Sequence, residues 1–276
     1  MPANPAPAPA PDWNAIAETF DRWLPYIQPV GDRLIATAGI RTGHTVLDVA
    51  CGTGEPALSI ARRFGPSVTV TGVDSAEAMI ARAAAKAAAE SLTSLSYRVM
   101  PAERLDLPAE HFDRVMSRFG VMLFDDRTAG AREMWRVLRP GGRAAIAVWG
   151  PLPQMHSIYP LWRLLPDYLP AAELPPEPRM TSLSEPAILQ RLLVDAGWTD
   201  VLVEPFTVTY RFDNPLAYWD LNTETGLFKD ILAKLSCHAH VAFKARALAD
   251  IATYRRGNVI ELPNLALIAT AHKPLL

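Results

Sequence analysis

The stretch that decides the fold reads Val46-Leu-Asp-Val-Ala-Cys-Gly-Thr-Gly54. Its first half is a short apolar run, which is typical of a strand that is buried on both faces. The Gly-x-Gly turn that follows allows backbone to come close to a ligand, and Pro56 suits the first turn of a helix. The pattern predicts a strand, a turn and a helix, with a ligand site at the carboxyl end of the strand.

Apolar runs and helical segments alternate along the rest of the chain. This alternation predicts an α/β fold with a mostly parallel sheet and helices on both faces. A later motif, Ser182-Leu-Ser-Glu185, predicts a capping box at the start of a helix that ends at Gly197. The seven predicted strands lie at residues 44–50, 67–73, 95–100, 112–117, 143–149, 200–210 and 266–271.

Two segments interrupt this alternation. Residues 150–181 are rich in Pro and aromatic residues, and residues 213–256 have a helical pattern. Both are long for connections, and long connections usually carry function. We interpret them as a helical substrate cap over the carboxyl edge of the sheet. The same pattern also fits additional surface segments that have no functional role. The remaining predicted parts are a disordered Pro/Ala arm at 1–11, the N-terminal helices and nucleoside-binding core at 12–149, and the rest of the sheet at 182–212 and 257–276.

Composition restricts the classes of partner. The chain of 276 residues has 27 Lys and Arg against 29 Asp and Glu, so no basic excess is present to bind a nucleic-acid backbone. It contains no apolar run long enough for a membrane span and no signal sequence at its start. Two cysteines predict neither a disulfide framework nor a zinc site, and Cys237, His238 and His240 are too few and too close together for one. We therefore expect a cytoplasmic protein that binds a small molecule and no metal.

Asp74 indicates the kind of ligand. It ends the second predicted strand twenty residues after Gly54, where a carboxylate accepts hydrogen bonds from ribose hydroxyls. The segment Gly52–Ala57 also satisfies the loose dinucleotide pattern, so an NAD-dependent oxidoreductase is one alternative. Asp48 and Glu55, however, put two carboxylates where a pyrophosphate would lie. A ligand with an ammonium and a sulfonium group, such as S-adenosylmethionine (SAM), fits this acidic setting better.

These motifs resemble those of the class I SAM-dependent methyltransferases, most of all the ubiquinone/menaquinone-biosynthesis-like small-molecule group. Val46–Gly54 is similar to the first motif of the family, and Asp74 matches its ribose-binding acid. Further similar segments are Met100-Pro-Ala-Glu103 near the adenine, Ser117–Phe124 beside the methyl group, and Leu138-Arg-Pro-Gly-Gly142 before the fifth strand. The resemblance covers residues 13–149 and, more loosely, 182–212 and 258–272. It implies a Rossmann-like sheet whose seventh strand runs antiparallel beside the sixth.

The resemblance also implies SAM as the cofactor and an N-terminal helix that closes over it. Phe20, Trp23 and Tyr26 are the aromatic candidates on that helix. Pro101 departs from the family pattern, because it replaces the Asp that contacts the adenine. The residues implied to bind the cofactor are Tyr26, Asp48, Ala50, Gly52, Thr53, Gly54, Asp74, Ser75, Met79, Ala102, Glu103, Ser117, Arg118 and Phe119.

Methyl transfer mainly requires that acceptor, methyl and sulfur are held in line, and a base is useful when the acceptor must lose a proton. His156 is the first candidate for this base, because it follows the fifth predicted strand and titrates near neutrality. Tyr159 is the second candidate. A solvated His156 without a catalytic role is the other interpretation.

The segment Ser117-Arg-Phe-Gly120 differs from the Asn/Asp-Pro-Pro-Tyr motif of adenine-methylating enzymes, which argues against a nucleic-acid substrate. Aromatic and Met residues in the predicted cap suit an apolar or aromatic small molecule. We expect O- or C-methylation, with N- and S-methylation left open. A SAM-binding enzyme of other chemistry, such as a cyclase, is a further alternative. The predicted substrate-binding residues are Met122, Met155, Trp162, Tyr218 and Trp219.

Overall fold

The apolar run before the glycine-rich turn forms an interior strand of the sheet. In the computed structural model, which describes residues 11–225 and 227–275, this strand is β1 (Thr45–Val49). Most of the predicted N-terminal arm, residues 1–10, lies outside the described residues. The other strands are β2 (Thr69–Asp74), β3 (Leu95–Val99), β4 (Phe112–Arg118), β5 (Leu138–Trp149), β6 (Thr199–Phe212), β7 (Arg255–Arg256) and β8 (Val259–His272).

Helices and short 3-10 turns connect the strands and pack around the sheet. α2 packs against β4, β5 and β6, whereas α7 packs against β6 and β8. The helices are α1 (Trp13–Phe20), α2 (Leu24–Ala38), α3 (Ala57–Phe64), α4 (Glu77–Ala89), α5 (Arg127–Val137), α6 (Tyr159–Trp162), α7 (Pro186–Asp195), α8 (Pro215–Glu224), α9 (Leu227–Leu232) and α10 (Cys237–Ala252).

The strand order is β3-β2-β1-β4-β5-β8-β6. β1 to β5 pair in parallel, and β8 runs antiparallel between β5 and β6. The predicted α/β class, the mostly parallel sheet and its antiparallel last strand are therefore confirmed. The predicted count of seven strands is one too low, because the two-residue strand β7 also pairs with β8.

The β6–β8 pair extends beyond the carboxyl end of β5. Trp149, the last residue of β5, pairs with Ala266, whereas β8 already begins at Val259 and pairs with β6 as far as Phe212. The predicted strand at 266–271 covered only the half of β8 that faces β5. The other half carries the end of β6 above the edge of the sheet, on the side where the glycine-rich turn lies.

The two segments interpreted as a cap form short helices that pack on each other. Tyr168 lies edge-on to Phe243 with ring centroids 5.2 Å apart, and Arg163 forms an ion pair with Asp250 at 2.8 Å. Residues 150–181 contain four short 3-10 turns and the one-turn helix α6, and residues 213–256 contain α8, α9 and α10.

The predicted capping box is wrong. α7 begins at Pro186, its N-cap residue is Glu185, and the Ser182 hydroxyl donates to the Met122 carbonyl at 2.9 Å instead. The physical reason is that proline presets the backbone angle of the first helical residue and has no N–H to be capped.

Replacement of Gly72 by Ala is expected to destabilise the sheet next to the candidate site. A Cβ at this buried position would lie 2.5 Å from ring atoms of Tyr97 and 3.0 Å from the Cys51 sulfur. The free energy of unfolding should fall by about 1–3 kcal/mol, the usual cost of overpacking, as measured by urea unfolding. The control is Ser96→Ala on the exposed face of β3, which should stay within about 0.5 kcal/mol of the wild type. A Gly72→Ala protein as stable as this control would contradict the packing described.

Candidate functional site

The turn after β1 adopts backbone angles that favour glycine. Ala50, Gly52 and Gly54 have φ angles of 57°, 52° and 111°. A Cβ on Gly54 would lie 2.7 Å from the Tyr97 hydroxyl and 2.8 Å from Leu58, and that hydroxyl donates to the Gly54 carbonyl at 3.0 Å. Tyr97 and Leu58 thus hold the turn in place by close packing, and its backbone amides lie at the carboxyl edge of the sheet.

Asp74 lies directly beside this turn, as the sequence predicted. Its carboxylate accepts hydrogen bonds from the amides of Gly52 and Ala76, both at 2.9 Å. Burial raises the pKa of this carboxyl group, and the backbone donors counteract part of that effect. The acid at the end of β2 is therefore held in place by the glycine-rich turn itself.

Asp48 lies on β1, is fully buried, and its side chain reaches the N-terminus of α3. One carboxylate oxygen accepts the Ala57 amide at 3.1 Å, and the other, Oδ1, has no partner among the described residues. Burial raises the pKa of this group to about 7, against a lowering effect of Arg118. The helix N-terminus, a place that commonly binds phosphate, is thus already occupied by a carboxylate.

Glu55 does not share this position, although the sequence suggested that it would. Its carboxylate accepts from the Ser59 hydroxyl and from Arg62 Nη1, both at 2.6 Å. Arg62, on α3, balances the negative charge of Glu55 through this ion pair. Glu55 precedes α3, and its side chain accepts hydrogen bonds from the Ser59 amide and hydroxyl in the first turn of that helix.

The end of β4 closes against the turn after β1. A Cβ on Gly120 would lie 2.5 Å from Ala50 Cβ and 2.6 Å from Ser117 Oγ, and Ser117 Oγ has no partner among the described residues. The buried Arg118 donates to the Glu55 carbonyl at 2.9 Å. Phe119 has a φ angle of 63°. Unpartnered polar atoms and unusual backbone angles concentrate here, as they often do at functional sites.

α1 lies across the glycine-rich turn and the start of α4. The Phe20 ring is 3.7 Å from the position of a Cβ on Gly52, and Asn14 Oδ1 accepts the Ala78 amide at 2.9 Å. Met79 is buried in this contact, where it packs with Ala17. Thr53 is also buried and donates to Asp21, which follows α1.

The other two aromatic candidates of the N-terminal segment point elsewhere. Tyr26 stacks on Phe212 and approaches Tyr210, with centroids 4.8 and 5.1 Å apart. Trp23 donates from its indole nitrogen to the Thr225 carbonyl at 3.2 Å. Of the three aromatic residues, Phe20 is the one for which the structure gives a contact with the glycine-rich turn.

The segment expected near an adenine follows β3, next to Asp74. The Met100 amide donates to the Asp74 carbonyl at 2.9 Å, and Ala102 is buried. Glu103 accepts the Asp125 amide at 2.9 Å and so joins this segment to the loop after β4. Ser75 is exposed at the end of β2.

His156 lies on the loop after β5, within the segment 150–181 that was predicted to form part of a cap. Its ring is edge-on to Tyr254 at 5.3 Å, and its buried Nδ1 has no partner among the described residues. Burial lowers the pKa of this imidazole, which favours the neutral form that accepts a proton. Tyr159 is partly buried at the start of α6.

The predicted substrate residues are mostly packed in the interior. Met122, Met155, Tyr218 and Trp219 are buried, whereas Trp162 is partly buried. The Met122 sulfur accepts the Trp149 amide at 3.4 Å.

A cluster of aromatic residues at the ends of β4, β5 and β6 was missed from the sequence. Phe119 stacks on Trp149 with centroids 3.9 Å apart, and Trp149 lies edge-on to Tyr210 at 6.4 Å. Their positions in the sequence could have identified them. Trp149, Tyr210 and Phe212 lie at the carboxyl ends of strands, and ligands usually bind at that edge of such a sheet.

Two open recesses lie away from this edge. One, of about 310 Å³, is lined by Ala84, Leu92 and Tyr97, and the other, of about 440 Å³, by Arg132, Trp135 and Asp195. Neither recess is the candidate functional site, because Asp48, Asp74 and Ser117 lie together at the carboxyl edge of the sheet instead. Within residues 11–225 and 227–275 no cluster of His, Cys, Asp or Glu is arranged to bind a metal, and no helix has the length and apolarity to cross a membrane.

Residues 46–142 match the family model described as a methyltransferase domain. Over 105 residues the chain is 45% identical to the ubiquinone/menaquinone biosynthesis C-methyltransferase UbiE of Geobacter sulfurreducens, an alignment that covers 38% of this chain and 41% of the relative. Over 128 residues it is 39% identical to the nocamycin O-methyltransferase of Saccharothrix syringae, with 46% and 45% covered. The chain thus spans less than half the length of these curated relatives.

The fold is also similar to that of a phosphoethanolamine N-methyltransferase 2 from Haemonchus contortus, solved with phosphomonomethylethanolamine and S-adenosylhomocysteine. The TM-score is 0.59 at 19% identity, and the similarity covers 94% of this chain and 57% of the other. At that identity, the comparison supports the fold alone.

The buried Asp48 should make stability depend on pH. Its pKa is about 7 when folded and about 3.9 when unfolded, so between these values the unfolded chain has lost a proton that the folded protein retains. The free energy of unfolding of the wild type should therefore fall, relative to Asp48→Asn, by about 2–4 kcal/mol between pH 4.5 and 7.5. Urea unfolding of both proteins at each pH measures this difference.

The matched control is Asp113→Asn. Although burial raises the pKa of Asp113, its hydrogen bonds from Thr45 and Arg139 lower the pKa overall. Its contribution to stability is lost only as pH falls below about 4, so the difference between wild type and Asp113→Asn should be flat from pH 4.5 to 7.5. An equally flat difference for Asp48→Asn would contradict a proton on Asp48.

Proposed function

We propose that this chain, whose residues 46–142 match the family model described as a methyltransferase domain, is a class I SAM-dependent methyltransferase that transfers the methyl group of SAM to a small apolar or aromatic metabolite. The observation that carries the proposal is the Asp74 carboxylate, held 2.9 Å from the Gly52 amide at the carboxyl edge of the sheet. The proposal includes a cytoplasmic location and a small-molecule substrate in place of a nucleic acid.

The residues around the turn fit such a cofactor. Asp74 would accept hydrogen bonds from the ribose hydroxyls, and the Gly52 turn brings backbone close to the nucleoside. Asp48 Oδ1 and Ser117 Oγ, both without partners among the described residues, add polar groups at the ends of β1 and β4. When bound, SAM supplies an electrophilic methyl group on a sulfonium.

The chain's own task is to orient the acceptor and exclude water. Phe20 and Met79 would cover the cofactor from α1 and α4, as their packing around Gly52 and Ala17 suggests. Ala102 and Glu103 would lie on the adenine side, where Pro101 offers neither a carboxylate nor an amide.

An NAD-dependent oxidoreductase fits the same turn less well. The Ala57 amide at the N-terminus of α3, where a pyrophosphate would bind, already donates to Asp48. Isothermal titration with NAD and with S-adenosylhomocysteine separates the two cofactors, and binding of NAD alone would overturn the proposal.

The aromatic cluster of Phe119, Trp149 and Tyr210 supports a flat, apolar acceptor. The stacked pair Phe119–Trp149 lies at the carboxyl edge directly after β4 and β5, next to residues that would hold the cofactor. Aromatic walls with few polar groups are typical of sites for such molecules. The names of the two relatives, one a C-methyltransferase and one an O-methyltransferase, favour a carbon or oxygen acceptor.

The direct test is incubation with SAM and a panel of phenols, quinones and polyketides. Formation of S-adenosylhomocysteine together with a methylated product is the expected result. Binding of S-adenosylhomocysteine without any turnover across the panel would favour the alternative, an enzyme such as a cyclase that holds SAM without transferring its methyl group.

Asp74→Ala should weaken the binding of S-adenosylhomocysteine by roughly 1–3 kcal/mol, because hydrogen bonds to a charged group are lost. Isothermal titration measures this loss. Glu77→Gln, which removes an exposed charge three residues away, is the control and should bind as the wild type does. Unchanged affinity in Asp74→Ala would mean that the ribose is held by other groups.

His156→Ala should lower turnover of an acceptor that must lose a proton, without change in cofactor affinity. Neutral imidazole accepts that proton, and removal of a general base typically costs about 10²–10⁴-fold in rate. His238→Ala, on the exposed side of α10, should leave turnover unchanged. If His156→Ala turns over such an acceptor at the wild-type rate, His156 is not the base, and Tyr159 is the next candidate.

A further inference from the structure

Asp21 connects the N-terminal segment to the glycine-rich turn. It lies in the 3-10 turn Asp21–Trp23, directly after α1. Its carboxylate contacts Lys86 Nζ at 2.7 Å and Arg82 Nη2 at 3.1 Å, and it accepts a hydrogen bond from the Thr53 hydroxyl at 2.5 Å. Lys86 also donates to the Thr53 carbonyl at 3.1 Å. One carboxylate thus joins three elements: the end of α1, the turn after β1, and α4.

These contacts are sheltered enough to be stronger than ordinary surface ion pairs. The side chains of Asp21 and Lys86 are each 27% exposed, and charge-assisted hydrogen bonds are shorter and stronger than neutral ones. Burial raises the pKa of Asp21, but the hydrogen bonds from Lys86, Thr53 and Arg82 bring the pKa below its usual value. The carboxylate is therefore ionised throughout the physiological range.

The residues next to Asp21 in sequence have different partners. Arg22 forms an ion pair with Glu224 at the end of α8 at 2.8 Å, and Trp23 donates to the Thr225 carbonyl. On the other side, the preceding residue Phe20 lies 3.7 Å from the position of a Cβ on Gly52. Asp21 is thus the charged attachment of α1 to the side on which the cofactor would bind.

We propose that Asp21 is a positioning residue of the cofactor site, which holds α1 closed over the glycine-rich turn and so slows the release of SAM. Through Thr53 it also fixes the turn that would contact the nucleoside. The inference rests on the proposed function, because it requires SAM or its product in that turn.

The test is the affinity and dissociation rate of S-adenosylhomocysteine for the full chain and for Asp21→Asn. The amide preserves shape and removes the charge, so the dissociation constant should rise about tenfold, mainly through faster dissociation. The stabilisation of the melting temperature by S-adenosylhomocysteine should shrink accordingly. A purely structural role would lower the melting temperature equally with and without the ligand and leave affinity unchanged, which would overturn the proposal.

Arg22→Gln is the matched control, because it removes the neighbouring exposed ion pair and leaves the contacts of Asp21 in place. It should bind S-adenosylhomocysteine within twofold of the wild type, and a loss as large as that of Asp21→Asn would overturn the specific role of Asp21. Lys86→Gln provides a second variant that keeps the inference testable if Asp21→Asn does not fold. Its affinity should fall in the same way, and wild-type affinity would overturn the proposal.

A double-mutant cycle of Asp21→Asn and Lys86→Gln tests whether the two side chains act together. The double variant should bind little more weakly than either single variant, whereas independent, multiplying losses would overturn the shared contact. A wild-type protein that does not bind S-adenosylhomocysteine at all would instead overturn the proposed function.

Discussion

The hydrogen bond from the Gly52 amide to the Asp74 carboxylate joins the ends of two parallel strands, and the site depends on it. The bond requires a turn in which Gly52 adopts a positive φ angle and Gly54 carries no Cβ. A side chain on Gly54 would displace Tyr97, whose hydroxyl holds the same turn through the Gly54 carbonyl. Close packing of the backbone at Gly52 and Gly54 therefore fixes the position of Asp74. The Asp74 carboxylate in turn holds the amides of Gly52 and Ala76 through hydrogen bonds.

The electrostatics of the site follow from how completely its charges are buried. Asp48 and Arg118 are both withdrawn from water, and neither has a direct ion-pair partner among the described residues. Asp48 is stabilised by the Ala57 amide and by proximity to Arg118, but burial still raises its pKa. Such groups are costly to keep in a folded protein, which supports a role in binding over a role in stability.

The N-terminal segment shows how three consecutive residues can contact different parts of one chain. Asp21 contacts the glycine-rich turn and α4, whereas Arg22 and Trp23 contact the end of α8. A 3-10 turn makes this division possible, because successive side chains project about 120° apart. Movement of this segment would therefore affect the glycine-rich turn and the end of α8 together.

Much of the site could be predicted from the sequence because its determinants are local. The turn at 50–54, Asp74 and the end of β4 each lie at the carboxyl end of a predicted strand, and a parallel sheet brings such ends to one edge. The cap residues Met155, Tyr218 and Trp219 were harder to interpret, since an aromatic or Met side chain has the same pattern in a core as in a binding site. The structure buries all three.

The sequence by itself determined the alternation of strands and helices, the glycine-rich turn and the acid that faces it, because hydrophobic periodicity and glycine backbone freedom are encoded within a few residues. Only the tertiary structure decided that β6 and β8 extend past β5 and that Asp21 reaches Thr53 and Lys86. These outcomes depend on which side chains meet across distant segments, and spacing along the chain carries no information about the distances between them.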